Sequence, residues 1–159
     1  PDMADSFSAK LDFTGRVALI TGGASWIGYA VATQLGELGA RVAIADLNID
    51  GAEAAVTRLC AFGVEAMAVK VDVADPDDAE RMVETTVARF GKLDILVHSA
   101  GVGIERSFLE TTPDEWRRLI DIDLSGTFYC AQALLRRITQ KTATNLSLLL
   151  PLCFRTGKS

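Results

Sequence analysis

Two groups in the sequence are typed and spaced to hold a phosphorylated ligand. The first is Thr21-Gly22-Gly23-Ala24-Ser25-Trp26-Ile27-Gly28, a small-residue turn between the apolar run Val17-Ala18-Leu19-Ile20 and a segment of helical periodicity. Few side chains in such a turn let the backbone come close to a ligand. The helix that follows offers N–H groups without intrahelical partners, and with the positive end of the helix dipole these suit a pyrophosphate. The second group is Asp46, 24 residues after Gly22, at the end of the next apolar run. A carboxylate there can accept hydrogen bonds from adenosine ribose hydroxyls and repels the extra phosphate of NADP, so the two groups predict a dinucleotide site that takes NAD. The alternative is a glycine turn that only packs helix on strand, with Asp46 starting a turn. Turn, helix and carboxylate in the required order favour the dinucleotide.

The elements that must position these groups alternate in kind. Val17 to Ile20 predicts a buried strand; Ile27, Ala30, Val31, Leu35 and Leu38 recur at helical spacing, with Gly39 as the stop. Val42 to Ala45 is a second strand, and an Ala-rich helix runs from Asp50 to Phe62 before Gly63. Ala66 to Val71 is a third strand ending at Asp72. Asp75-Pro76 then starts a helix that Gly91 ends, with Pro76 at the first helical position. A fourth strand, Leu93 to Val97, leads into a polar loop, and Thr112-Pro113-Asp114-Glu115 has a capping-box pattern. The helix beyond is expected to break at Asp121 to Ser125 and to carry Leu124, Phe128, Leu135 and Ile138 on one face. Leu146 to Leu150 could form a fifth strand. Strict alternation predicts an α/β fold, a doubly wound parallel sheet covered on both faces with right-handed crossovers. The expected division is an N-terminal tail over 1–10, one Rossmann-like domain over 11–150 and a divergent tail over 151–159.

Composition narrows the partners. At 159 residues the chain is long enough for one compact domain and short for two, and 49% hydrophobic with 23% charged residues is a globular balance. The net charge of −5 has no basic cluster set against it, so no nucleic-acid partner is expected. Pro1 to Lys10 shows no basic start followed by an apolar run, and the longest apolar stretch, Leu146 to Phe154, is far short of the roughly 20 residues that span a membrane. Cys60, Cys130 and Cys153 stand apart with no CxxC, and His98 is the single histidine. Reduced thiols, a cytoplasmic location and no metal site are the expectation.

With these motifs in hand the sequence resembles the short-chain dehydrogenase/reductase family, from about Leu11 through Ile138. The turn resembles that family's TGxxxGxG. Asp72-Val73 matches its Asp after the third strand, which implies contact with an adenine ring. Leu93 to Gly101 is similar to its strand ending in NNAG, and Asp121 to Phe128 to its helix with Asn before Leu-x-Gly. The resemblance implies sheet order 3-2-1-4-5, with the cofactor across the strand ends between the first and fourth strands. It adds Ser25, Trp26, Ile27, Gly28 and Leu47 to Gly22 and Asp46, and beyond Asp72 and Val73 it adds Ser99, Ala100 and Gly101 beside the nicotinamide end. It implies NAD-linked oxidoreduction of an alcohol or carbonyl.

The departures from the family are specific. Trp26 stands where the family has the loop's middle glycine. A residue forced there into a left-handed backbone costs roughly 1–2 kcal/mol, so weakened binding is expected unless the indole swings outward. His98 and Ser99 replace the two asparagines; a structural hydrogen bond is the favoured role for His98. Asp123 replaces the Asn of the family's water-linked proton path, and an ionised carboxylate cannot donate as an amide does. Tyr-x-x-x-Lys is absent: the fourth residues after Tyr29 and Tyr129 are Thr33 and Ala133. Ser147 is at best a weak substitute for the family's serine, whose position Leu148 takes. The closing Gly157-Lys158-Ser159 lacks the glycine a phosphate loop needs at position 152, which is Leu. A tail truncated or frame-shifted before the family's last strands is the expectation, leaving NAD binding without turnover and a sticky helix face around Phe128 and Leu135 that favours homo-oligomers. The alternatives are a non-catalytic dinucleotide-binding or regulatory module, or a scaffold whose loop Trp26 blocks.

Overall fold

The computed structural model describes residues 11–142. Strand β1 (Val17–Thr21), helix α1 (Trp26–Glu37), β2 (Arg41–Asp46), α2 (Ile49–Ala61), β3 (Ala66–Lys70), α3 (Pro76–Phe90) and β4 (Ile95–His98) follow in alternation. Helix α4 (Pro113–Leu119) then passes through a π-helical stretch (Ile120–Ser125) into α5 (Gly126–Thr142). The four strands form one parallel sheet in the order β3-β2-β1-β4. The expected fifth strand, the rest of the expected domain to Leu150 and the 151–159 tail lie outside the described residues.

Both faces of the sheet are covered because successive strand residues point to opposite sides. Ala18, Ile20, Val42 and Ile44 pack with Ala32, Ala52, Ala55 and Leu59 from α1 and α2. Their neighbours Val17, Leu19, Ala43 and Ala45 pack with Met82, Val83, Phe90, Cys130 and Ala133 from α3 and α5. Burial pushes the Cys130 thiol up to about 11, so it is a packing group and no nucleophile.

The sequence signals map onto element ends. Asp75 accepts from Asp77 and Asp78 N–H at the start of α3, and Gly91 closes that helix at φ +81°. Thr112 and Glu115 form the reciprocal capping box on α4. Two boundaries differ from expectation. β4 begins at Ile95, because the Asp94 carboxylate accepts the Val17 N–H at 2.9 Å and pairs with Arg16 and Lys92, so side-chain bonding takes the place of a ladder rung. The expected break at 121–125 is a widening, not an interruption: the chain stays helical through the π-helical residues. Leu124, Phe128 and Leu135 are 64%, 58% and 60% exposed, while Cys130 and Ala133 face the core. No helix among the described residues is long and apolar enough to cross a membrane.

Candidate functional site

Parallel strands deliver the loops after β1, β2, β3 and β4 to one edge of the sheet, and the order reverses between β1 and β4. The chain leaves β1 through Gly22 at φ +63°. A Cβ on Gly22 would stand 2.7 Å from the Ala100 nitrogen, and one on Gly28 would stand 2.3 Å from the Gly22 carbonyl oxygen. Both glycines are therefore demanded by close packing of backbone on backbone. Ser25 caps α1 without a side-chain hydrogen bond. The N–H groups of the first helical turn have no intrahelical acceptor, and Ser25, Trp26 and Ile27 border a cleft.

Trp26 is the one non-glycine residue at positive φ among the described residues, at +47°. Its expected backbone strain is present, but the indole is 90% exposed and does not plug the cleft. Asp46 reaches back to the same turn: its Oδ2 accepts the Ala24 N–H at 3.1 Å and its Oδ1 the Asn48 N–H at 3.0 Å. A carboxylate has about four lone-pair sites, so two remain for a ligand.

Across the cleft, the end of β4 hangs on Thr21. Its hydroxyl accepts the Ser99 and Ala100 N–H groups, each at 3.3 Å, and lies 3.0 Å from His98 Nδ1. The Ser99 N–H also donates to the Thr21 carbonyl oxygen at 3.2 Å, so backbone and side chain of Thr21 together tie the end of β4 to β1. Burial, opposed by the nearby Asp123 carboxylate, holds the His98 pKa below its ordinary value. His98 is thus a neutral link between β4 and β1, and its Nε2 is buried without a hydrogen-bond partner among the described residues. Asp123, in the π-helical stretch, accepts the Val102 N–H at 3.0 Å and lies beside Gly101. The carboxylate fastens the loop after β4. Ser147, the weak serine candidate, lies outside the described residues.

The cleft has a volume of about 330 Å³, at the lower end of small-molecule sites. Gly22, Ser25, Trp26 and Ile27 line it from the first loop, Asp46 and Leu47 from the second, and Asp72 and Val73 from the third. Ser99, Ala100 and Gly101 line it from the fourth. Gly28 alone of the expected cofactor set is behind the turn and does not border the cleft. Asp72 is held in shape: its N–H donates to Asp78 and its Oδ1 accepts from Ala74, both at 3.0 Å. Sequence reasoning missed Val71, Val102, Arg118 and Ile122, which also line it. The four-residue spacing of Arg118 and Ile122 after a capping box was a usable signal, since it sets both on one helical face. Uncapped N–H donors on one wall, a carboxylate with free lone pairs on another and apolar Ile27 and Leu47 between them fit a dinucleotide.

The family model described as short chain dehydrogenase matches residues 16–146. A peroxisomal 2,4-dienoyl-CoA reductase from Arabidopsis thaliana is 40% identical over 122 residues, 77% of this chain and 41% of that protein. A D-threitol dehydrogenase from Mycolicibacterium smegmatis is 38% identical over 139 residues, 87% of this chain and 53% of that one. The crystal structure of a short-chain type dehydrogenase/reductase from Mycobacterium marinum superposes with a TM-score of 0.80 at 31% identity, covering 84% of this chain and 55% of that chain. The chain spans about half the length of the curated relatives it matches.

Proposed function

We propose, for a chain that belongs to the short-chain dehydrogenase family, that the cleft at the ends of β1 and β4 binds NAD and that this sequence by itself turns over no substrate. One observation carries the binding: the Ala24 N–H to Asp46 Oδ2 hydrogen bond at 3.1 Å, which joins the glycine turn to the carboxylate at one place. First-turn N–H groups of α1 would take the diphosphate, the free lone pairs of Asp46 the ribose hydroxyls, and the Ser99–Gly101 backbone the nicotinamide-side ribose. The carboxylate of Asp46 disfavours a 2′-phosphate through charge repulsion, hence NAD over NADP.

The bound cofactor supplies the hydride chemistry of an alcohol–carbonyl interconversion, and the protein's share is to orient it and to move a proton. That second task lacks a group here. Neither Tyr29 nor Tyr129 has a lysine four residues on, and Asp123 is committed to Val102. A small-molecule alcohol or carbonyl is the substrate class for the whole protein, in a reducing cytoplasm that keeps Cys60 and Cys130 free. The second reading is a non-catalytic dinucleotide-binding or regulatory module, favoured by Asp123, an acceptor-only carboxylate engaged with the Val102 N–H. The exposed face of Leu124, Phe128 and Leu135 supports self-association.

Calorimetric titration with NAD and NADP, followed by an alcohol-oxidation assay, tests this. Binding of NAD at least tenfold tighter than NADP, without product, is the expected result. A chain that binds neither dinucleotide overturns the proposal, and one that oxidises an alcohol overturns its second half. Light scattering at micromolar concentration should report a dimer or larger; a clean monomer removes the self-association.

A further inference from the structure

We infer that Arg118 is an adenosine-recognising residue, its guanidinium forming the purine-facing wall of the cleft; this rests on the NAD-binding reading above. Arg118 lies on α4 and is exposed. It lines the main cleft and also an adjoining recess with Leu47, Asp72, Ala74 and Ile122. That recess is lined by the loops after β2 and β3, by α4 and by the π-helical stretch, and by none of Ser99, Ala100 and Gly101, and so belongs to the adenosine half of an extended dinucleotide. Arg118 is the one basic side chain among the described cleft residues.

Its neighbours show that it is not spoken for. Arg117 pairs with Asp114 at 2.5 Å and Arg106 with Glu115 at 3.0 Å, whereas no ion pair involves Arg118 among the described residues. The surroundings select what it faces. Apolar Leu47 and Ile122 and the carboxylates of Asp72, Asp114 and Asp121 crowd the recess, with Asp46 in the main cleft beside it. Arg117, the other guanidinium of the recess, is paired with Asp114, so a phosphate monoester there would set its two negative charges against the carboxylates of Asp46, Asp72 and Asp121 for one free guanidinium. An uncharged purine meets no such repulsion: its exocyclic amine can donate to an acceptor-only carboxylate, and its flat face suits a planar, weakly hydrated guanidinium. Stacking of this kind is a face contact and needs no hydrogen bond from the arginine.

The test is calorimetric titration of the chain and its Arg118→Ala and Arg118→Lys variants with NAD, NADP, AMP and nicotinamide mononucleotide. Arg118→Ala should weaken NAD and AMP by a similar factor, about three- to tenfold, and leave nicotinamide mononucleotide unchanged. Arg118→Lys, which keeps the charge and loses the plane, should stay weak. An exposed side chain without an ion pair can be removed with the melting temperature unchanged, and Arg118→Lys gives the same comparison should the alanine variant melt early. Unchanged NAD affinity in Arg118→Ala, full recovery in Arg118→Lys, or a loss confined to NADP overturns the inference while leaving NAD binding in place. A wild-type chain that binds neither NAD nor AMP removes both.

Discussion

β1 and β4 run side by side in register, Leu19 opposite Leu96 and Thr21 opposite His98, yet every residue of β1 is fully buried while every residue of β4 is only partly so. Their sequences, VALIT and ILVH, are of one kind. Their neighbours are not. β1 has β2 on one side, β4 on the other and helices over both faces, whereas β4 among the described residues has β1 alone. Burial therefore follows place in the sheet rather than strand composition. The cleft opens between the two, with the glycine turn as its wall on the β1 side and, on the β4 side, a wall held by the Thr21 hydroxyl and Asp123.

The sharpest way to break this contrast is a matched pair of truncations. Leu19→Ala, at a fully buried position, should cost about 3–5 kcal/mol in urea denaturation, and Leu96→Ala about half of that. Equal costs would mean that the outer side of β4 is covered in solution. Gly22→Ala strikes the contact between the two strands' loops. Positive φ and a Cβ 2.7 Å from the Ala100 nitrogen together should cost about 2–4 kcal/mol and abolish NAD binding by calorimetry. Retained affinity would show that the turn and the Ser99–Ala100 backbone need not touch. Trp26→Gly acts in the other direction. Relief of the positive φ should raise stability by about 1 kcal/mol without loss of NAD affinity, and a marked gain in affinity would instead mean that the indole obstructs the cleft.

The smallest effect is the pH dependence of the His98 link. Because the folded imidazole has a lowered pKa, below the ordinary value of 6.5 the unfolded chain binds a proton that the fold does not. Stability should decline as the pH falls through that value and level off once the folded imidazole itself titrates. Above it, His98 adds no slope. His98→Asn, which cannot titrate, should flatten the profile below the ordinary imidazole value in denaturation curves; an unaltered slope would assign it to other groups.

Much of this was legible without coordinates, and for local reasons. A strand's apolar run, a glycine past a helix end, and the Asp75-Pro76 and Thr112-Glu115 caps are satisfied by atoms a few residues away, so they can be read from spacing. The glycine turn and Asp46 were legible as a pair because strand–helix–strand geometry brings successive loops to one edge. Harder to see were Arg118 and Ile122, which enter the cleft from a helix after all four strands and depend on how that helix crosses the sheet. Gly28 shows the converse: its type was readable, but its place behind the turn was not.

The sequence by itself determined the alternation of elements, the parallel sheet and the absence of a Tyr-x-x-x-Lys pair, since these depend on residue type and near neighbours alone. Only the tertiary structure decided that Trp26 lines the cleft with its indole largely exposed, that His98 Nδ1 meets the Thr21 hydroxyl, and that Asp123 grips the Val102 amide. Each of those outcomes turns on a partner far along the chain or on solvent exposure. Hydrogen-bond capacity and exposure are settled in space, after the strands have found their register.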